Sequence, residues 1–446
     1  MSVPVAPGRW PFLGHTPALL RQRFAFTDAL PAHGEIVKLS LGPAPVYFVT
    51  SPRLTHEVLV NEGSKFRKGA MFDKFRPFIG NGLVLSNGDF HLQQRRLMQP
   101  AFHRDRLAEY AAIMRRAAAD LSGSWRAGEV RKIDDDMQSL AVTIVGEALF
   151  STELGKAAVD EARRSIYVII QQGMIRALSP KFVEKLPVPG NRRFDEAIAR
   201  MQAIVVEVIR DWRRAGTDHG DLLSTLLLAG MTDEQARDEA LTLLTAGIET
   251  TALALAWTFH ELGRHPGIEA RVHAELDEVL GGRPVTIDDL PRLTYVRQVV
   301  DEVLRQYPLW MLMRRTLTEV DLGGVRLPEG AEVIVSPHAL HHDPASFPDP
   351  DRFDPDRWAP DRAAAIPKGA FVPFGAGTRQ CIGNRFAQNE IVITVATVAA
   401  QWRLVPVPGK PVRVKFTSAA YPESLPMTVV PRRHRPVPGQ FPDSCR

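Results

Sequence analysis

The chain has 446 residues, 45% of them hydrophobic, which is ample for a large buried core. Its 55 Lys and Arg nearly balance its 51 Asp and Glu, and the resulting net charge of +4 comes without a basic tract of the kind that binds nucleic acid. Two cysteines cannot build a disulfide framework, so the composition points to a reducing compartment.

The opening residues, 1–20, carry no basic start and no long apolar run, and prolines at 4, 7, 11 and 17 would break a helix there. Neither a secretory signal nor a membrane anchor is expected, nor a membrane span elsewhere, since nowhere do eighteen apolar residues follow one another. The expectation is a soluble, cytoplasmic protein. EIVKLSLG (35–42) and PVYFVTS (45–51) alternate like strands, with GPAP turning between them. From about residue 90 to 305 the apolar residues recur at three and four, as in 108–125, 136–150 and 194–214, which predicts helices. Prolines 180, 187 and 189 mark a loop between two of them.

The longest predicted helix runs from Thr232 to Leu262. Thr232 with Gln235 is a capping box, and Gly263 and Pro266 are read as its stop. Its middle, LTLLTAGIETTALALAW, is apolar almost all round, so it should cross the interior. A further helix ends at Pro308. Short strands follow in VDLGGVRLPEG and AEVIVS, then an irregular stretch rich in Asp, Pro and Phe. The pattern predicts a mainly α fold with minor β, one large domain over residues 1–430, and a flexible proline-rich tail at 431–446 that holds Cys445.

The other cysteine, Cys381, sits in FGAGTRQCIG (374–383) just before a helical pattern whose buried rows include Ile391, Val395 and Val398. Glycines before it permit tight turns and close approach to a flat ligand. A helix N-terminus should lower the thiol's pKa and hold a thiolate. Three readings stand together: an inert buried cysteine, a nucleophile paired with a histidine as in a Cys–His hydrolase, and a thiolate ligand to haem iron. A GxGxxG phosphate loop is excluded, because Gln380 stands where its third glycine would be.

Phe374, Gly377, Arg379, Cys381 and Gly383 resemble the haem-binding signature of the cytochrome P-450 family, the haem-thiolate monooxygenases. The resemblance runs over nearly the whole chain, from PGRWPFLGH onward. It implies a P-450-type domain with a long central helix over a haem b and the cysteine loop beneath it. Cys381 would be the iron ligand, and Arg379 would pair with a haem propionate. His91 and Arg95 of HLQQRRLMQPAF, and Arg314 rather than Arg315 of MRRTL, would reach the propionates too. Glu302 and Arg305 of DEVLRQYP, with Arg357 of FDPDRW, would form a buried structural network. In AGIETT, Ala246 and Gly247 would leave room for dioxygen, while Thr250 and Glu249 would handle its protons; a carboxyl and a hydroxyl in an apolar helix are costly unless used.

The resemblance further implies O2 as co-substrate and electrons from a ferredoxin and ferredoxin reductase, docking on a basic patch of Arg95, Arg96 and Arg104. Phe72, Phe75, Phe78, Ile79, Leu83, Leu244, Thr245, residues 310–313, Ala420 and Tyr421 are candidate pocket walls. That lining suits a compact hydrocarbon. The general look is similar to bacterial terpene-oxidising members, which implies a sesquiterpene methyl group taken to alcohol and then aldehyde in antibiotic biosynthesis. Fatty-acid or other terpenoid hydroxylation, and haem binding without turnover, are the alternatives.

Overall fold

The computed structural model describes residues 3–432, apart from residues 43, 151–152, 179–182, 184–185, 309–310 and 417–418. Cys445, Pro180 and one of the pocket candidates, Trp310, lie outside the described residues.

The helix Asp233–Arg264 is the axis of the molecule. Thr232 caps it: its Oγ1 accepts from Gln235 N at 3.2 Å and its own N–H donates to Gln235 Oε1 at 2.9 Å. It packs against the helices Ile133–Leu149, Pro189–Ala215 and Asn384–Gln401, and its burial runs nearly without a break from Thr251 to Leu262. It is long and apolar enough to cross a membrane by composition, but here its partners are protein helices. Gly263 does not stop it. A Cβ there would meet Leu404 O at 2.5 Å, so this glycine lets the strand Trp402–Pro406 lie against the helix. Pro266 starts the next helix, Pro266–Leu280, at the position where its missing N–H costs nothing.

A five-stranded sheet closes one end. Its order is Ile36–Leu41, Ala44–Val49, Glu332–Val335, Leu312–Thr316, Phe66–Lys68; all neighbours are antiparallel except the parallel pair Ala44–Val49 and Glu332–Val335. A hairpin, Val414–Phe416 with Ala420–Pro422, lies near it, since Ala420 shares an apolar cluster with Met313 and Ile334. The strand Pro426–Pro431 pairs with Trp402–Pro406, and Arg432 beyond it is buried with its guanidinium on Asp277. The fold thus extends past the expected boundary at residue 430.

The Glu302, Arg305 and Arg357 side chains form one buried knot. Arg305 donates twice to the Glu302 carboxylate at 2.9 Å, Arg357 Nε donates to it at 3.3 Å and Trp358 Nε1 at 3.0 Å. Arg305 also donates to the His341 carbonyl. The spare guanidinium protons end on the carbonyls of Pro348 and Asp349. One carboxylate is shared by two guanidinium groups and backbone carbonyls take the remaining donors, which is what lets the knot sit where Glu302 and Arg305 are 0% exposed.

Candidate active site

Mid-helix residues of a core helix should be buried, yet Ala246 and Thr250 are exposed, while Leu244, Ile248 and Thr251 beside them are not. Four residues apart, they share one face, so the long helix opens there on an interior cleft. Gly247 lies on a different face. A Cβ there would meet Val145 Cγ2 at 3.2 Å, so the space its missing side chain leaves is taken by the helix Ile133–Leu149. The Thr250 hydroxyl donates to the Ala246 carbonyl at 2.8 Å. Its proton is therefore engaged and its lone pairs are what it presents to the cleft. Glu249 is raised to about 7 by burial, against a hydrogen bond from Tyr421.

The cysteine loop is held from both sides. Cys381 N donates to the Phe374 carbonyl at 2.9 Å. Gly377 has φ +70°, and a Cβ on it would meet Leu59 O at 2.0 Å, so only glycine fits there. Gly383, immediately before the helix Asn384–Gln401, offers its N–H to the Cys381 sulfur. The expected lowering of the thiol is not what the protein alone produces. Cys381 is exposed to solvent, yet the protein packed around its sulfur pushes the thiol up, and the Gly383 N–H with the Arg95 and Lys68 charges only partly oppose this. A cation bound to the sulfur would favour the thiolate here.

Around the sulfur the protein has gathered cations. Lys68 stands opposite Arg314 in the strand register, and Arg379 acts on both. Arg95 lies beside Arg379 and donates to the Gln380 carbonyl at 2.8 Å. Arg314 is buried and held near 10, with its Nη1 donating to the Met313 carbonyl at 3.0 Å. Arg379 is likewise held near 10 by burial and by Arg95, and donates to Ser86 O at 2.6 Å and Asn87 Oδ1 at 3.1 Å. His91 is held near 4 by burial and Arg379, with Nδ1 3.1 Å from the Leu83 carbonyl. Among the described residues, none of Lys68, Arg95, Arg314 and Arg379 has a carboxylate partner. Arg315, by contrast, is committed to Glu332 and Asp73. A concentration of like charge beside one thiol, with Arg314 buried and Lys68, Arg95 and Arg379 half-buried, fits a ligand that brings its own anionic groups together with a cation for the sulfur.

Arg95 is drawn into this cluster, which leaves Arg96 and Arg104 as the exposed members of the expected basic patch. Lys68 and Asn87 were not singled out in the sequence. Asn87 Oδ1 accepts from both Lys68 N and Arg379 and so ties the strand end to the cysteine loop. Of the candidate walls, Leu244 is wholly buried in the core, whereas Phe72, Phe75 and Phe78 are half-buried beside it. Asp238 and Glu239 of the long helix pin the loop that follows Ile79 by accepting from Asn81 N at 2.7 Å and Leu83 N at 2.9 Å.

The family model for Cytochrome P450 matches residues 4–428. The chain belongs to the cytochrome P450 family. The family and the fold imply a haem-thiolate centre, and the chain is a P450 monooxygenase that uses O2, redox partners and an apolar substrate. It is 47% identical to cyclooctat-9-en-7-ol 5-monooxygenase of Streptomyces melanosporofaciens, over 96% of this chain and 95% of that one. Against pentalenene oxygenase of Streptomyces avermitilis the identity is 36%, over 98% of each chain. The solved haem domain of cytochrome P450DA superposes with a TM-score of 0.85 at 27% identity, covering 97% of this chain and 98% of that one.

Proposed function

We propose that this P450 oxidises a compact cyclic terpene, with haem b held by Cys381 and its propionates by Lys68, His91, Arg95, Arg314 and Arg379. When bound, the haem supplies the binding and activation of dioxygen. The chain's own residues do the rest. Gly383 N–H steadies the sulfur, Thr250 offers lone pairs to the cleft in which the haem would sit, and Glu249, with a pKa raised to about 7, can give and recover a proton near neutrality. The observation that carries this reading is the open helix face at Ala246 and Thr250, with a tunable carboxyl beside it.

The substrate class is supported by the aromatic and Met side chains near the cleft and by the relatives, whose names specify terpene oxidation. Burial of a hydrocarbon contributes about 25 cal/mol per Å². A pocket of this kind discriminates weakly against one added hydroxyl, which favours successive oxidation of one carbon to alcohol and aldehyde. A ferredoxin with its reductase is the electron source in this proposal, docking near Arg96 and Arg104, and the enzyme works in the cytoplasm. The test is product analysis with purified protein and reductases on pentalenene, its primary alcohol and cyclooctat-9-en-7-ol. Turnover of any of them supports the terpene reading. Turnover of fatty acids alone would replace it.

A further inference from the structure

Glu249 is the carboxyl in the apolar middle of the long helix, and Tyr421 is the side chain that hydrogen-bonds it. Tyr421 belongs to the hairpin, opposite Lys415 in the register. The same hairpin is fastened to the long helix two turns further on. Trp257 Nε1 donates to the Ala420 carbonyl at 2.8 Å, and the Trp257 ring stacks on Tyr307 at 4.1 Å. Trp257 is 1% exposed, so this fastening is a core contact and fixes the hairpin strand next to the helix. Ala420 also packs in the cluster that contains Met313, with Phe72 and Met311 against it. One short strand therefore touches the candidate substrate wall with Ala420 and the half-buried acid with Tyr421.

Apart from Glu390, whose oxygens have no well-formed hydrogen bond, the charges of neighbouring elements are engaged elsewhere. Lys415 pairs with Glu423 at 3.1 Å, and Glu147 of Ile133–Leu149 pairs with Arg116. Glu390 of Asn384–Gln401 faces Thr251, Asp301 of Thr294–Gln306 is acted on by Arg297, and Glu302 is in its knot. Arg403 of Trp402–Pro406 is paired with Glu269. Burial raises Glu249, and Tyr421 pulls it back. A phenol that favours the ionised carboxyl is donating to it.

We propose that Tyr421 is a positioning residue for Glu249, its phenol O–H donating to the carboxylate and thereby linking proton handling on the long helix to the hairpin that borders the substrate. This rests on Glu249 acting as the acid. The proton balance is simple: the Glu249 carboxyl gives up one proton toward the cleft and regains one from water, and the phenol keeps its own. Tyr421 sets the orientation of the carboxyl and the pH at which it titrates. A hairpin displaced by an ill-fitting substrate would loosen that hold, so fit in the pocket and proton supply would vary together.

The test compares holoenzyme carrying Tyr421→Phe, Glu249→Gln and both changes with the unaltered protein. The first readout is the protonated-carboxyl band in the infrared difference spectrum on photolysis of bound carbon monoxide, assigned by its loss in Glu249→Gln. In Tyr421→Phe that band should persist to higher pH by about one unit, the scale of one charge-assisted hydrogen bond. The second readout is product formed per NADPH consumed, which should fall several-fold in Tyr421→Phe with the substrate Kd within twofold, and should fall no further when Tyr421→Phe is added to Glu249→Gln. An unmoved band, or additive losses in the double variant, overturns the positioning role. An unchanged product ratio in Glu249→Gln overturns instead the reading of Glu249 as the acid.

Discussion

Lys68 and Arg314 face each other directly across two antiparallel strands, two cations in a place where like charges destabilise. Burial and the Arg314 and Arg379 charges hold Lys68 well below its ordinary value. In the protein by itself this pair is a liability; beside a dianion it is a grip. Lys68→Met should therefore act with opposite signs in the two forms. The haem-free protein should melt higher, by a few tenths to about 1 kcal/mol of stability. Haem affinity should fall by about 1.5–3 kcal/mol, the worth of a hydrogen bond to a charged group. Calorimetry of both forms and haem transfer to apomyoglobin measure the two terms, and the same sign in both would remove Lys68 from the haem site.

The Glu302 knot predicts a large stability loss from a change far from any reacting atom. Glu302→Ala leaves Arg305 and Arg357 buried without their shared carboxylate. Breaking one partner of a buried pair costs about 3–5 kcal/mol. Urea unfolding of the haem-free protein should show that loss, and a shift below about 1 kcal/mol would mean that the carbonyls of His341, Pro348 and Asp349 suffice to hold the guanidinium groups.

What the sequence made legible and what it hid follow a physical divide. Local signals were readable: the Thr232–Gln235 capping box and the glycine loop around Cys381 are contiguous patterns whose physics is complete within a few residues. The i, i+3 pair Glu302–Arg305 was readable for the same reason, and Arg357 came with the family likeness. Lys68 was not, because FRK at a strand end looks like any solvated edge until the pairing with Arg314 is known. The Tyr421–Glu249 contact joins a hairpin near the chain's end to the long helix, and no spacing encodes it. Gly263 and Gly247 were misjudged in one way. A glycine in a helical pattern reads as a stop or an opening, but at both positions it admits a neighbouring element.

Cys381→Ser should abolish the strongly red-shifted Soret band of the ferrous–CO complex, because a hydroxyl at neutral pH is a poor anionic ligand. The raised thiol pKa adds a second expectation. In haem-free protein Cys381, though exposed, should react more slowly with a thiol reagent at neutral pH than a cysteine of ordinary pKa, and faster as pH rises. A retained red-shifted band in Cys381→Ser, or loss of the band in Cys445→Ser, would overturn the ligand assignment.

Thr250 donates its proton to the Ala246 carbonyl and keeps its lone pairs for the cleft. Replacement by Ser keeps that arrangement; replacement by Val keeps shape but not the acceptor. Thr250→Val should retain haem and substrate affinity while product per NADPH falls several-fold and hydrogen peroxide rises to match. Thr250→Ser should stay within about twofold, since the same donor–acceptor pattern is available to it. Equal coupling in the Val variant and the unaltered enzyme would leave Thr250 with only its back-bond to the helix.

Glu390 supplies a prediction about pH. It is 0% exposed on the helix Asn384–Gln401, neither of its oxygens has a well-formed hydrogen bond, and burial raises it to about 8, with the Thr251 hydroxyl as the opposing influence. The unfolded chain ionises this carboxyl near its ordinary 4.5, whereas the native protein keeps it protonated to about 8. Between those values the native state binds the extra proton, so this group's contribution to stability falls as pH rises from about 4.5 to about 8 and is flat above. Its steepest slope is about 1.4 kcal/mol per pH unit. Glu390→Gln has no such proton to lose and nearly the same shape. The two proteins should be close in stability at pH ~5, and the Gln variant should gain on the unaltered one through pH ~8. Urea unfolding at three pH values across that range decides it. Parallel stability curves would show that Glu390 is ionised in the native protein, with a partner such as water satisfying it.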